Sequence, residues 1–422
     1  MSNTGPESTV PGEPRGGGGA GLCPAGADVG QGREPLEGRR IWFVGIGGAG
    51  LSSYAFLARA WGAEVGGWDW VETPYLRSLR GVEIEISPDP IAPDGWEVVV
   101  STAFANRAEG RSRADFLAEL VSLRAQSIVV AGTHGKSTTS GMIAFVLAEL
   151  GHDPAWLIGA EIPQLGGNAG AGEGPLVVEG DESDRTIEGL RPAIAVVTNV
   201  ELDHHAAFAS GAELADLFEG WLEHVPQVVR GWEQEPVDFE LAVPGQHNRR
   251  NAAAALAALE LTGIDRGAAA RVLARFRGAG RRYELVGEAG GVTVVDDYAH
   301  HPTELAAVIA AAREQTSGRV LVLFQPHLYS RTRHLAAEFG AALSAADGAC
   351  VTEIYAARET PVAGVSGKLV LDALEPGVRA GWAPTVEGGV RIVRSWARAG
   401  DLVLTLGAGD VGRAGRLLLE LL

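Results

Sequence analysis

Cysteine is scarce in this sequence, with only Cys23 and Cys350 among 422 residues. Two thiols argue against a disulfide scaffold and fit the reducing environment of the cytoplasm. Long apolar runs are also missing, so no stretch is expected to span a bilayer. Residues 1–37 lack the apolar core segment of a signal peptide. We therefore expect a cytoplasmic protein with no membrane partner.

Positive charge is also in short supply. The chain has 35 Lys and Arg residues against 53 Asp and Glu residues, a net charge of −18. A nucleic acid partner is not expected, because phosphate backbones favour basic surfaces. An anionic nucleotide can still bind in a local pocket that has Mg²⁺ as its counter-charge.

The length of 422 residues and the hydrophobic content of 46% predict two to four domains with substantial cores. Residues 1–37 are rich in Gly, Pro and Glu, and we expect them to form a disordered tail. Strands then alternate with helices in three blocks, 38–124, 125–277 and 278–422. The predicted fold class is α/β, with a Rossmann-like N-terminal domain, a central parallel-sheet domain of the P-loop ATPase type and a Rossmann-like C-terminal α/β domain.

The first block opens with a glycine-rich turn between a strand and a helix. The apolar run 40–44 is followed by Gly-Ile-Gly-Gly-Ala-Gly at residues 45–50, and a second strand ends at Asp69. Glycines in such a turn permit close approach to a diphosphate, and Asp69 can reach a ribose hydroxyl. A third strand ends at Ser101, where such sheets bind ligands. This motif alone also fits a nicotinamide-dependent oxidoreductase.

The second block contains a phosphate loop, Gly-Thr-His-Gly-Lys-Ser-Thr, at residues 132–138. It lies between the apolar run 127–131 and a helix-compatible stretch, an order that directs backbone N–H groups and a helix N-terminus at phosphate oxygens. We expect Lys136 to reach the outer phosphates and the Ser137 hydroxyl to bind Mg²⁺. The loop is shorter than the general eight-residue pattern, because Val130 occupies the position of the first glycine.

Carboxylates and a histidine follow two further strands of the second block. Glu179 begins the acidic run 179–184, and His204 follows the strand that ends near residue 199. Carboxylate oxygens and an imidazole at strand ends beside a phosphate loop suit Mg²⁺. Asn248 and Asn251 share one face of an alanine-rich helix, and their amides match the edge of an adenine base.

In the third block, polar side chains follow three strands. Histidines and arginines that cluster at strand ends point to a site for a substrate carboxylate. The three groups lie at Asp296–Pro302, Gln325–Arg333 and Gly407–Val411.

The order of these motifs resembles the Mur ligase family from about residue 38 to the C-terminus. The segments Asp-Asp-Tyr-Ala-His-His-Pro at 296–302 and Gln-Pro-His-Leu-Tyr-Ser-Arg at 325–331 carry the resemblance most specifically. The resemblance implies that block 38–124 binds a UDP-linked substrate and that block 125–277 binds ATP. Block 278–422 then completes the ligase.

The resemblance also implies roles for individual residues. The UDP moiety would be bound by Gly47, Gly48, Ala49, Gly50, Asp69 and Ser101. ATP would be bound by Gly132, Thr133, His134, Gly135, Lys136, Ser137, Thr138, Asn248, Asn251, Arg282 and Asp297. Mg²⁺ would be bound by Ser137 at one position and by Glu179 and His204 at a second. The catalytic group would comprise Lys136, His204, Tyr298, His300, His327 and Arg331.

The implied reaction joins L-alanine to the lactyl carboxylate of UDP-N-acetylmuramate. ATP would phosphorylate the carboxylate, and the amine of alanine would attack the acyl phosphate. Two anions must meet in this reaction, so Lys136 and Mg²⁺ would neutralise the γ-phosphate. We expect a monomer or a homodimer.

Two features depart from the family pattern. The connection between His204 and Pro244 is short, so residues 209–243 are expected to form a trimmed sheet edge, and Ser137 stands where the family usually has Thr. The nearest alternative function is a murein-peptide recycling ligase, which joins a tripeptide to the same acceptor. A catalytically silent nucleotide-binding regulator is a third interpretation. The presence of Lys136, Glu179 and His204 argues against it.

Overall fold

The computed structural model describes Met1 and residues 34–203, 207–357 and 359–422. Within these residues the backbone forms three β-sheets, and the sheets follow one another in the order of the three sequence blocks. The predicted α/β fold class is confirmed. Among the described helices, we find none that combines the length and the apolar character needed to cross a membrane.

The first sheet has five strands, all parallel to their neighbours. Its elements are β1 (Arg40–Val44), α1 (Ala49–Ala60), β2 (Glu64–Asp69), β3 (Glu83–Ile86), β4 (Glu97–Val100), β5 (Arg111–Ser112) and α2 (Arg113–Ser122). The strand order is β3-β2-β1-β4-β5, so the order reverses between β1 and β4. The loops after these two strands therefore form the crevice in which such sheets bind ligands.

The packed part of the chain begins before the end of the expected tail. Leu36 is 0% exposed, and its backbone N–H donates to the carbonyl oxygen of Trp61 at 2.8 Å. The expected tail extended to residue 37. Residues 34–37 instead belong to the first sheet unit, because a buried leucine contributes to its core.

The second sheet has six strands in the described residues. Its elements are β6 (Ser127–Ala131), α3 (Lys136–Glu149), β7 (Ala155–Ile162), β8 (Gly167–Ala171), β9 (Leu176–Glu179), β10 (Ile194–Val197), α4 (Gly211–Leu222), β11 (Gln227–Arg230), α5 (Gln246–Leu261) and α6 (Arg266–Leu273). The strand order is β11-β10-β6-β9-β7-β8. Only the β7–β8 pair is antiparallel. The short segment 209–243 supplies α4 and the four-residue edge strand β11.

Helix α3 is surrounded by the protein. Every residue from Ser137 to Leu147 is buried, because the helix packs against both the second sheet and the alanine-rich α5. A helix that is buried on all sides has an interior position in the protein. The phosphate loop, which leads directly into α3, is therefore mounted on a rigid support.

The third sheet has six strands in the described residues. Its elements are β12 (Glu284–Ala289), β13 (Val292–Asp297), α7 (Pro302–Gln315), β14 (Val320–Phe324), α8 (Tyr329–Leu343), β15 (Gly348–Thr352), α9 (Lys368–Asp372), β16 (Arg379–Ala383), α10 (Val386–Trp396), β17 (Leu402–Leu406) and α11 (Ala414–Leu421). The strand order is β12-β13-β17-β14-β15-β16, and only β12 is antiparallel to its neighbour. The carboxyl ends of β13, β14 and β17 meet at one edge, as the motif positions predicted.

Candidate active site

The phosphate loop is shaped by a glycine that no other residue can replace without strain. Gly135 has a φ of 81°, and a Cβ at this position would lie 2.5 Å from Oδ1 of Asn251. Both the left-handed backbone and the close approach to α5 therefore require glycine. The packing also brings Asn251, whose amide is predicted to match an adenine edge, next to the loop.

The loop is held in place by the chain that follows β10. The backbone N–H of His134 donates to Oδ1 of Asn199 at 2.9 Å, and Thr198 Oγ1 donates to the carbonyl oxygen of His134 at 2.6 Å. Thr133 Oγ1 donates to the carbonyl oxygen of Glu201 at 2.8 Å. These bonds fix the loop before any ligand binds, which is the preorganisation that phosphate binding needs.

Lys136 already has an anionic partner in this structure. Its Nζ lies 2.9 Å from Oε1 of the buried Glu182 and donates to the carbonyl oxygen of Gly132 at 2.6 Å. Burial disfavours the ammonium, but the charges of Glu182, Glu179 and Asp181, with the hydrogen bond to Glu182, together outweigh it and raise the pKa of Lys136. The lysine is therefore a cation that can transfer its contacts from a carboxylate to a phosphate.

A cavity of about 560 Å³ lies beside the phosphate loop and α5. We call it the α5 cavity, and its volume is in the range of sites for small organic ligands. The residues predicted to bind ATP that line it are His134, Gly135, Thr138, Asn248, Asn251, Arg282 and Asp297. The structure thus brings together residues from the second and third sheet units that the sequence assigned to one nucleotide.

The amides of the two asparagines contact each other and the backbone. Asn248 Nδ2 donates to the carbonyl oxygen of Pro244 at 2.7 Å, and Asn251 Nδ2 donates to Oδ1 of Asn248 at 3.3 Å. Part of the hydrogen-bonding capacity expected for an adenine edge is therefore used within the protein.

A second cavity of about 860 Å³ is lined by residues from all three sheet units. We call it the central cleft. The predicted residues that line it are Ala49, Gly50, Thr133, Gly135, Lys136, Ser137, Glu179, Arg282, Tyr298 and His300. The glycine loop of the first sheet and the phosphate loop of the second therefore face one space.

Glu304, in the first turn of α7, connects the phosphate loop to the third sheet unit. Its carboxylate accepts from the backbone N–H of His300 at 3.0 Å, lies 3.3 Å from Nδ1 of His134 and lies 3.4 Å from Nη1 of Arg282. On the other side of the ring, His134 Nε2 lies 3.0 Å from Oε2 of Glu201. Burial disfavours the charged ring, but the hydrogen bonds with Glu201 and Glu304 outweigh it and raise the pKa of His134 to about 9.

The pKa of His300 is shifted in the opposite direction from that of His134. Burial lowers its pKa to about 3, so the ring is neutral at neutral pH. Its Nδ1 lies 3.0 Å from the carbonyl oxygen of Tyr298, a contact that requires the proton on Nδ1 and leaves a lone pair on Nε2. His300 therefore enters the central cleft as a neutral acceptor.

Arg331 forms a buried ion pair across the cleft wall. Its Nε and Nη2 donate to the two carboxylate oxygens of Asp203 at 3.0 and 2.9 Å, and its Nη1 lies 3.2 Å from Nδ1 of His327. Neither His327 nor Arg331 lines the central cleft in this structure, whereas Asp203 does. The pair joins the loop after β10 to α8, so it connects two sheet units.

The glycine loop of the first sheet is fastened by Asp69. The carboxylate accepts from the backbone N–H groups of Gly47 and Trp70, both at 2.8 Å, so it shapes the loop. Ser101 Oγ lies at the end of β4, is buried and has no hydrogen-bond partner among the described residues. The predicted contact of Asp69 with a ribose stays a prediction.

Oxygen donors for a metal ion lie beside Lys136. Ser137 and Glu179 both line the central cleft, and Oε2 of Glu179 accepts from the backbone N–H of Gly159 at 2.6 Å. Hydroxyl and carboxylate oxygens are the donors that Mg²⁺ prefers, so this donor set fits the ion. His204 lies outside the described residues, and its metal contact and catalytic role stay predictions.

Three carboxylates of the site, Glu182, Asp203 and Glu304, contact cations or histidines in a way that the sequence did not predict. A signal existed for Glu304, since it follows His301 with the spacing of a capping box. No local signal marks the pairing of Glu182 or Asp203, because each partner is a cation from a distant part of the chain.

Comparisons with known proteins agree with this architecture. Residues 130–229 match the Mur ligase middle domain, and residues 281–409 match the Mur ligase, glutamate ligase domain. A UDP-N-acetylmuramate–L-alanine ligase from Kineococcus radiotolerans is 40% identical, over 91% of this chain and 96% of that protein.

Two solved structures share the fold. A UDP-N-acetylmuramate–alanine ligase from Thermotoga maritima has a TM-score of 0.73 and 27% identity, over 90% of this chain and 98% of that one. A murein peptide ligase from Psychrobacter arcticus has a TM-score of 0.62 and 23% identity, over 91% of this chain and 98% of that one. The latter shows the fold alone.

The fold, the phosphate loop and the matched relatives together define an ATP-dependent ligase. The chain belongs to the Mur ligase family, as the order of its motifs predicted. The nicotinamide-dependent interpretation of residues 45–50 is therefore set aside.

Proposed function

We propose that the protein joins L-alanine to UDP-N-acetylmuramate with ATP as the energy source, in the cytoplasmic synthesis of peptidoglycan precursors. The observation that carries this proposal is the 40% identity, over 91% of the chain, to a ligase of that name. The position of Lys136 in a cleft shared by three sheet units supports the same chemistry.

In this proposal ATP spans the two cavities. Its base occupies the α5 cavity beside Asn248 and Asn251, and its phosphates lie on the loop 132–138. Arg282 and Asp297 meet the nucleotide from the third sheet unit. Asp297 is fixed by hydrogen bonds of 2.7 Å from the backbone N–H groups of Tyr283 and Ala299.

The UDP-linked substrate occupies the other side of the central cleft. Its UDP moiety lies at the crevice of the first sheet, with residues 47–50, Asp69 and Ser101. Its lactyl carboxylate then points toward the phosphate loop. Tyr298 and His300 line the side where muramate and alanine meet. His327 and Arg331 lie behind this wall and would act there through the pair that Arg331 forms with Asp203, and His204 is assigned to the same side.

The chemistry has two steps, and Lys136 acts in the first. The substrate carboxylate attacks the γ-phosphorus of ATP, ADP leaves, and an acyl phosphate forms. Lys136 stabilises the charge on the transferring phosphoryl group after it exchanges Glu182 for phosphate oxygens. The neutral amine of alanine then attacks the acyl carbon, and phosphate leaves from the tetrahedral intermediate.

Mg²⁺ completes the proposed site. Ser137 would hold one ion, and Glu179 and His204 would hold a second. When bound, these ions screen the negative charges of ATP and the substrate carboxylate. The protein supplies the fixed oxygen donors, since Glu179 is oriented by its hydrogen bond from Gly159.

The experiment measures phosphate release from ATP with UDP-N-acetylmuramate and a panel of amino acceptors. The panel contains L-alanine, glycine, L-serine and the tripeptide that a recycling ligase would use. We expect the fastest phosphate release with L-alanine. We also expect the active species to be a monomer or a homodimer. Faster release with the tripeptide would identify a recycling ligase instead, and no release with any acceptor would refute the ligase proposal.

A matched pair of variants controls this assay. Lys136→Ala should lower turnover by roughly a hundredfold or more, because a charge that stabilises the transition state is lost. Glu179→Ala should lower turnover severely but leave ATP affinity near that of the parent, since the loop and Lys136 still hold the nucleotide. Loss of ATP affinity in Glu179→Ala would contradict the assignment of this residue to the second ion.

A further inference from the structure

Trp232 is an exposed aromatic residue on the wall of the α5 cavity. Its side chain belongs to the short turn Gly231–Glu233, which follows the edge strand β11. The residue is 51% exposed, although it is among the largest apolar side chains of the protein, and it lines the cavity. An indole that is held at a cavity wall and left open to solvent has the features of a ligand contact.

The turn that carries Trp232 is fixed to the loop that holds the phosphate loop. A Cβ at Gly231 would lie 2.6 Å from the carbonyl oxygen of Thr198, so the turn packs directly against the end of β10. Gln234 closes the turn, because its backbone N–H donates to the carbonyl oxygen of Gly231 at 3.2 Å. The position of the indole is therefore coupled to the position of the phosphate loop.

The chain after the turn is fixed to the helix that carries the two asparagines. Nη1 of Arg249 donates to the carbonyl oxygen of Val237 at 2.9 Å, and the backbone N–H of Val237 donates to the carbonyl oxygen of Arg249 at 3.3 Å. The backbone on both sides of Trp232 is thus fixed to elements of the same cavity. A fixed backbone reduces the conformational entropy that the residue loses when a ligand binds.

The composition of the cavity favours a flat apolar ligand group at this wall. Ala307 and Val308 of α7 line the cavity as well, and the amides of Asn248 and Asn251 are partly engaged with the protein and each other. Hydrogen bonds to the edge of a base are therefore limited. Contact with the face of a base must supply a larger share of the binding.

We propose that the indole of Trp232 stacks on the purine base of the bound nucleotide. This inference rests on the proposed function, because it assumes that ATP binds with its base in the α5 cavity. Segment 231–233 lies just beyond the middle-domain match, which ends at residue 229.

The test compares Trp232→Ala and Trp232→Phe by calorimetric titration with ATP. Stacking of a base on an aromatic side chain contributes enough that Trp232→Ala should raise the Kd for ATP by roughly tenfold. Trp232→Phe keeps an aromatic face and should stay within roughly threefold of the parent. The melting temperatures without nucleotide should agree, because the side chain is half exposed.

Two ligands separate stacking from other causes. GTP should lose as much affinity as ATP in Trp232→Ala, because a face contact is tolerant of the base. Inorganic triphosphate lacks a base and should bind the parent and Trp232→Ala equally. A loss of triphosphate affinity, or a loss restricted to ATP, would overturn the stacking inference.

Tryptophan fluorescence provides an independent measurement. ATP should quench the parent protein, and the quenching should be missing in Trp232→Phe. Trp70→Phe is the matched control, because Trp70 is similarly exposed, at 59%, but follows β2 in the first sheet. The Trp70→Phe protein should therefore still be quenched by ATP. The inference would be overturned if the parent and the Trp232 variants had equal ATP affinity and equal quenching. A parent protein that binds no ATP would instead overturn the proposed function.

Discussion

The charge of His134 should depend on Glu304. We expect Glu304→Gln to lower the pKa of His134, because the substitution keeps the shape of the side chain but removes one of two carboxylates beside the ring. The carboxylate of Glu304 lies 3.3 Å from Nδ1, and that of Glu201 lies 3.0 Å from Nε2. Glutamine retains an oxygen that can accept from the backbone at the start of α7.

The magnitude follows from the position of the titration. The pKa of His134 is raised from 6.5 to about 9, which corresponds to about 3 kcal/mol in favour of the protonated ring. Because the folded-state pKa is the higher one, this stabilisation is fully present below pH 6.5 and is lost as the pH rises through the folded-state value near 9.

The two carboxylates should not contribute equally. The side chain of Glu304 is 10% exposed, whereas that of Glu201 is 41% exposed. Solvent screens the exposed partner more strongly. Glu304→Gln should therefore lower the titration midpoint of His134 by roughly one unit or more, and Glu201→Gln should lower it less.

The assay is an NMR titration of the ring Cε1–H of His134, assigned by its disappearance in His134→Gln. Chemical denaturation of Glu304→Gln at several pH values gives a second readout. The part of its stability loss that varies with pH should vanish above the titration midpoint of the parent. A midpoint that stays near 9 in Glu304→Gln, or that falls further in Glu201→Gln, would refute the reasoning.

Three further perturbations test the structure. Asp203→Ala should destabilise the protein by about 3–5 kcal/mol, because it leaves the guanidinium of Arg331 buried without its carboxylate; urea unfolding measures this loss, and a change below about 1 kcal/mol would contradict the buried pair. Leu36→Ala should cost about 2–4 kcal/mol in the same assay if the packed chain begins before residue 37, and an unchanged stability would restore the longer tail. Glu182→Gln should strengthen ATP binding, because Lys136 loses a competing anion, and weaker binding measured by calorimetry would show that the carboxylate helps to orient the lysine.

The sequence predicted those parts of the site that follow from local rules. Parallel strands place their carboxyl ends at one edge, so residues that follow different strands meet without any knowledge of the full fold. Lys136, Glu179 and His300 illustrate this, because each follows a different strand and all three line the central cleft. The motif positions were therefore sufficient to group them.

Local rules gave no indication of the hairpin formed by β7 and β8. Strand β8 consists of Gly, Asn and Ala, residues that favour turns or helices over strands. It forms because it pairs with β7 and packs on α1, where Asn168 Nδ2 donates to Oγ of Ser53 at 2.8 Å. Tertiary contacts thus decided the structure of a segment whose composition resembles a loop.

Four cations around the two cavities share a property that local sequence could not reveal, since each of the four has a carboxylate partner. The pairs are Lys136 with Glu182, Arg282 with Glu304, Arg331 with Asp203, and Arg113 with Asp181. Each carboxylate offsets part of the desolvation penalty of the buried cation beside it. The pairs also mean that an anionic ligand must compete with carboxylates for these four cations.

This competition shapes what the site can bind. A ligand phosphate that takes over Lys136 removes the ammonium of Lys136 from Glu182, and the loss of a cationic neighbour is costly for a buried carboxylate. A positive charge that arrives with the ligand would offset this cost. Under the proposed function, Mg²⁺ arrives with ATP and supplies that charge. The carboxylates would then lie beside the metal–nucleotide complex and no longer pair with the protein's own cations. We therefore expect ATP without a divalent ion to bind poorly, although the phosphate loop of the protein is already formed.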